Sequence, residues 1–86
     1  IMKTAKYFSA TWCGPCKTFK PIMEELASEG YNIEFIDGDE NPEEAMKYNI
    51  RSVPTTIILE GEAFSYHESA RIVGVRTKEE MIKELR

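Results

Sequence analysis

The sequence predicts an α/β fold with the order βαβαββα: a mixed four-stranded sheet flanked by three helices. Three observations carry this. Cys16, Phe19, Ile22, Met23, Leu26 and Ala27 recur at three- and four-residue spacings, which lays an apolar stripe along one helix. Residues 55–59 hold Thr56, Ile57 and Ile58 in the most β-branched run of the chain, as expected of a central strand. Thr77 and Glu80 have the spacing of a capping box, just ahead of Met81, Ile82 and Leu85.

Taken in order, residues 3–8 read as the first strand, ending on Tyr7 and Phe8. Residues 9–11 form a short polar loop, and the helix carrying the apolar stripe begins around Cys13. Pro21 removes one backbone bond inside that helix, but the periodicity continues beyond it, so a kink rather than a stop is expected. Gly30 suits a left-handed cap. Residues 31–36, with Ile33, Phe35 and Ile36, read as a second strand, parallel to the first because a helix connects them. Asn41 is read as a cap, followed by Pro42 at a first helical position and by Glu43 and Glu44 near the positive end of the dipole. This second helix is short, over residues 43–48, with Asn49 closing it in a left-handed conformation. After the central strand, a tight turn is expected at 60–62. A last strand follows over 63–73, with an irregularity around 67–70, and then the final helix. Tyr7, Phe8, Phe19 and Phe35 are read as core.

At 86 residues one domain, 1–86, is expected. Apolar residues make up 42% and charged residues 30%, which fits a folded, soluble chain rather than a disordered one. A net charge of −4 leaves no basic footprint for nucleic acid or an anionic membrane. No apolar run approaches the roughly 18 residues of a membrane span. Two cysteines are too few for a secreted disulfide scaffold, so a cytoplasmic location is expected.

Both cysteines lie in Trp12-Cys13-Gly14-Pro15-Cys16, between a strand and a helix. The thiolate is the attacking species, and a helix N-terminus favours a negative charge, so Cys13 is expected to have a lowered pKa. The two-residue spacing brings Cys16 back along the first turn to meet it. Cys16 can then attack a mixed disulfide and release the partner. Gly14 tolerates the tight backbone, and Pro15 gives up no needed hydrogen bond. Trp12 offers a flat surface beside the sulfur. The spacing also serves as half of a zinc site, but a second pair of ligands is missing, with His67 the lone histidine. A structural staple ranks last, because so short a loop removes little unfolded-state entropy.

The run Ala10-x-Trp12-Cys13-Gly14-Pro15-Cys16-Lys17 resembles the active-site motif of thioredoxins. The agreement continues through Pro21, Asp39, Asn41-Pro42, Lys47-Tyr48-x-Ile50-Arg51 and Val53-Pro54-Thr55 to Gly74. The resemblance implies a thioredoxin-like fold and a protein-disulfide reductase. Cys13 would be its nucleophile and Cys16 its resolving thiol, with the redox-active Cys13–Cys16 disulfide in place of any bound cofactor. Electrons would come indirectly from NADPH, through thioredoxin reductase or a similar flavin reductase. Disulfide-containing proteins such as ribonucleotide reductase would be substrates, and the chain is expected to act as a monomer. By the same resemblance Pro54 is a cis-proline facing the cysteines. Trp12, Gly14, Pro15, Val53, Pro54, Val73 and Gly74 form the partner-contacting surface.

The chain departs from the family pattern in three places. It is expected to start at the strand before the motif, to lack the N-terminal strand and helix of full-length thioredoxins, and to be compact like a glutaredoxin. Tyr7 stands where the family has a buried aspartate, and Phe35 where it has that acid's lysine partner. Tyr7 is a poor base near neutral pH, so water or a nearby carboxylate is expected to take the proton of Cys16. The segment between Glu62 and Gly74 is longer than usual. A glutaredoxin-like reductase recycled by glutathione is the nearest rival, disfavoured by Gly14-Pro15 and by Gly74-Val75 lacking paired glycines. A non-catalytic interaction module of the same fold is the other.

Overall fold

A computed structural model describes residues 2–86. The elements follow the predicted order: β1 (Met2–Ser9), α1 (Gly14–Ser28), β2 (Ile33–Asp37), α2 (Pro42–Lys47), β3 (Thr55–Glu62), β4 (Ser65–Val73) and α3 (Lys78–Leu85). The strands lie in the order β2-β1-β3-β4. β1 runs parallel to β2, and the other two pairings are antiparallel.

The central position of β3 explains its unbroken apolar run, because both of its faces are covered. Ile58 points into the larger core with Ala5, Tyr7, Phe19, Met23, Leu26, Ile72, Met81 and Leu85, drawn from β1, β4, α1 and α3. Ile57 and Leu59 point the other way, against Phe8 and Ile36, and are covered by Ala45, Tyr48 and Ile50. α1 continues through Pro21 without a break. A proline in a helix interior costs about 3 kcal/mol. Burying Phe19, Met23 and Leu26 on the same helix gains about 1.5–3 kcal/mol each and outweighs that cost. Gly30 closes α1 at φ 102°, donating its N–H to Ala27 O. The capping box at Thr77 and Glu80 is complete, with both reciprocal bonds formed.

α2 has no fully buried residue, so polar contacts add to the part-buried packing of Ala45 in holding it. Lys6 Nζ lies 2.5 Å from Glu44 Oε2. Burial works against the Lys6 charge, but its hydrogen bonds to Glu44 and Glu34 win and raise its pKa. On the other side, Arg71 of β4 donates to Tyr48 O (2.6 Å) and Asn49 O (3.3 Å), while Glu68 grips the same guanidinium. Asn49 takes φ 53° there, as expected.

Three expectations need correction. Residues 60–62 do not form a turn: β3 runs through Glu62, the chain reverses at 63–64, and β4 begins at Ser65. Gly61 is needed for close approach instead, since a Cβ there would lie 1.9 Å from Ser65 O. Ala63 takes the left-handed conformation, at φ 54°. Asn41 does not cap α2 with its side chain, which donates to Asp37 O at 3.0 Å. Phe35 is not core: β2 is an edge strand, and the residue is 39% exposed, its ring packed edge-on against Tyr7. The expected irregularity near 67–70 is a bulge, with Ser69 the unpaired residue between the Ile58–Ala70 and Leu59–Glu68 pairs.

Candidate active site

β1 and β2 end side by side, with Ser9 opposite Asp37 and the Gly38 N–H donating to Ser9 O at 2.9 Å. The cysteine turn therefore sits beyond the C-terminal ends of two parallel strands, where α/β sheets place their chemistry. Cys13 is the N-cap of α1, in extended conformation, and Pro15 lies in the first turn. Cys13 Sγ accepts the Cys16 N–H at 3.1 Å. The free N–H groups of the helix start thus aim at Cys13 and favour charge on its sulfur rather than on that of Cys16. The two cysteines are joined in a disulfide, with Cα atoms 5.2 Å apart, and each is only 3% exposed.

Three other segments meet this turn. Val53 O lies 3.6 Å from Cys13 Sγ, so a Cys13 thiol faces a backbone acceptor. The Val53–Pro54 bond is cis, as the resemblance implied. Thr55 Oγ1 donates to Ser52 O at 2.7 Å and fixes that loop. Pro54 O in turn accepts the Gly74 N–H at 2.8 Å, and Gly74 takes φ 93°. Around the half-buried Val53 and buried Pro54, several residues stand open: Trp12 is 69% exposed, Val73 is 54% exposed, and Gly14 and Pro15 are also exposed. The structure thus brings together every sequence-predicted site residue. What sequence reasoning missed is the anchor of Trp12. Its indole Nε1–H donates to Asp39 Oδ2 at 2.7 Å. Asp39 was legible only as one of the matching positions, because nothing in its spacing announces a tryptophan partner.

Beneath the pair, Tyr7 is fully buried and its hydroxyl points to Cys16 O at 3.5 Å. Burial, and then the charge of Glu24, push its pKa up to about 12. Tyr7 therefore stays protonated near neutrality and is no base. Among the described residues no group of three or more His, Cys, Asp or Glu side chains is placed to hold a metal ion. No helix among them is long and apolar enough to cross a membrane.

The model of the thioredoxin family matches residues 5–86. This chain belongs to the thioredoxin family. Thioredoxin from Staphylococcus saprophyticus is 42% identical over 78 residues, which cover 86% of this chain and 70% of that protein. The bifunctional thioredoxin reductase/thioredoxin of Mycobacterium leprae is 41% identical over 81 residues, 91% of this chain but only 17% of that longer protein. Among solved structures, Fasciola hepatica thioredoxin superposes with a TM-score of 0.83 at 29% identity, over 99% of this chain and 82% of its own. With the family and the disulfide together, the chain is a thioredoxin-type dithiol–disulfide oxidoreductase.

Proposed function

We propose that residues 1–86 act as one thioredoxin-like domain that reduces disulfides in other proteins. The observation that carries this reading is the asymmetry of the two sulfurs: Cys13 Sγ, and not Cys16 Sγ, receives a helix N-terminal N–H. In the dithiol form the Cys13 thiolate attacks one sulfur of the substrate disulfide. A mixed disulfide forms, and the other substrate sulfur leaves as thiolate. The Cys16 thiolate then attacks Cys13 Sγ, which forms the intramolecular disulfide and releases the second substrate sulfur. Two electrons pass to the substrate. An extended substrate segment pairs with the backbone at Val53, between the flat face of Trp12 and the exposed Val73. Gly14, Pro15, Pro54 and Gly74 complete the contact surface.

The oxidised pair is re-reduced by a thioredoxin reductase or similar flavin reductase drawing on NADPH. The Mycobacterium leprae protein, named for both activities, supports that pairing. Disulfide-containing proteins such as ribonucleotide reductase are the substrate class, a cytoplasmic setting suits a reductant, and the chain works as a monomer. Cys16→Ser is expected to accumulate mixed disulfides with protein substrates, detectable on non-reducing gels. Failure of that variant to hold any substrate would sink the assignment of Cys16 as the resolving thiol.

A further inference from the structure

Cys16 must lose a proton before it can attack, and its surroundings give that proton no obvious exit. Cys16 is 3% exposed, and the helix-terminal N–H serves Cys13 instead. Apolar burial opposes a thiolate. The interior offers no base. Among the described residues the buried polar side chains are Thr55 and Thr56, both hydroxyls. Tyr7 faces Cys16 from β1, but its pKa is raised to about 12.

The outer side differs. A cleft of about 520 Å³ opens between the start of α1 and the end of β2, and Cys16 forms part of its wall. That is room for several waters, at about 30 Å³ each. Two carboxylates line it, Asp37 and Glu40. Asp37 is half-buried and held in place: its Oδ1 accepts the N–H groups of Asp39 (2.8 Å) and Glu40 (3.1 Å), which leaves Oδ2 for water. Glu40 is exposed, and its longer side chain would lose more freedom on being ordered. Lys17 and Lys20 face the carboxylates from α1 across the same cleft, with Asn41 beside them at the start of α2. The cleft therefore carries side chains of both charges.

We propose that the Cys16 proton leaves outward, through water in this cleft, to the carboxylate of Asp37. The inference rests on the reading of Cys16 as the resolving thiol. The Cys16 S–H bond breaks, water relays the proton, and Asp37 holds it. The Cys16 thiolate bonds to Cys13 Sγ, the Cys13–substrate S–S bond breaks, and the electron pair leaves on the substrate sulfur. That sulfur is then protonated from Asp37 or solvent. Asp37 acts through water and does not touch the reacting sulfurs. In place of an acid under the cysteines, the chain would use one at their side.

A symmetrical aromatic disulfide that releases a coloured thiolate at each step separates the two steps in stopped flow. The first release reports attack by Cys13 and the second attack by Cys16. Asp37→Asn keeps an Oδ1 acceptor for both backbone N–H groups. It is expected to slow the second phase roughly tenfold near neutral pH, to move its pH profile upward, and to converge with the parent at high pH. The first phase should not change. Asp37→Glu, which restores a carboxylate, should recover most of the rate and checks against a folding defect. Tyr7→Phe should leave the second-phase profile in place. The inference is overturned if Asp37→Asn leaves the second-phase pH profile where it was, or if Tyr7→Phe or Glu40→Gln moves it instead. If Cys16→Ser holds substrate while Asp37→Asn is silent, this inference alone has failed. If Cys16→Ser holds nothing, the underlying assignment has failed as well.

Discussion

The two ends of the sheet are irregular in different ways. At the cysteine end, each departure from regular backbone is tied to another element. The cis Val53–Pro54 bond lies against Cys13, Gly74 binds Pro54 O, and Trp12 is held by Asp39. At the hairpin end the departures are local: Gly61 meets Ser65, Ala63 turns left-handed, and Phe64 stands fully exposed. The first kind of irregularity serves contact between distant parts of the chain. The second closes one hairpin and nothing more. Substitutions at the cysteine end are therefore expected to change activity, and those at the hairpin end to change stability, in either direction.

The sharpest way to break this contrast is Cys13→Ser. It is expected to lower disulfide reduction more than about 1000-fold, measured by insulin turbidity, because the attacking thiolate is gone. Chemical denaturation of the variant against the reduced parent should differ by less than about 1 kcal/mol. A folded variant that still turns over would end the assignment.

Gly61→Val tests the other end. Its side chain would meet backbone rather than a movable side chain, so a loss of about 2–3 kcal/mol is expected in urea unfolding. Activity per folded molecule should hold. A drop in activity at unchanged stability would show the hairpin reaching the site after all.

Asp39→Ala sharpens the contrast within the active end. It frees the Trp12 indole and is expected to lower kcat/KM about tenfold, with stability within about 0.5 kcal/mol of the parent. Equal kinetics would mean that the orientation of Trp12 is immaterial to substrate docking.

The smallest effect is expected from Ala63→Gly. A left-handed alanine costs roughly 1–2 kcal/mol, and the extra freedom of glycine in the unfolded chain returns about 0.4–1 of that. A net gain of about 0.5–1 kcal/mol should appear as a higher urea midpoint. A loss would mean that Ala63 makes contacts worth more than its strain.

The same contrast marks what could be read from the sequence. Elements driven by periodicity and capping were legible: the stripe of α1, the β-branched β3 and the Thr77–Glu80 box each depend on residues close in sequence. The site was legible through its motif, down to the cis Val53–Pro54 bond. What failed depended on which partner the folded backbone brings up, which residue identity alone does not give. Phe35 looked like core, but the strand order puts it on an edge. Gly61 looked like a turn, but only the position of Ser65 explains it. Asn41 has the right identity for a cap, yet it is drawn away by Asp37 O. Short polar side chains have several local acceptors to choose from, and composition does not decide among them.

Arg71 gives the thin face of the sheet a consequence of its own. Its guanidinium binds Tyr48 O and Asn49 O, and α2 has little apolar burial of its own to hold it. The segment 37–50 therefore leans on polar contacts as well as on the part-buried Ala45, Tyr48 and Ile50, and forms a unit of lower local stability than the main core. Asp37 and Asp39 both belong to that unit, one lining the cleft beside Cys16 and the other holding Trp12. An opening that breaks the Arg71 clasp would loosen both at once. Salt, which screens the Lys6–Glu44 and Arg71–Glu68 pairs but scarcely reaches the buried core, thus acts on the catalytic edge through contacts in which neither cysteine takes part.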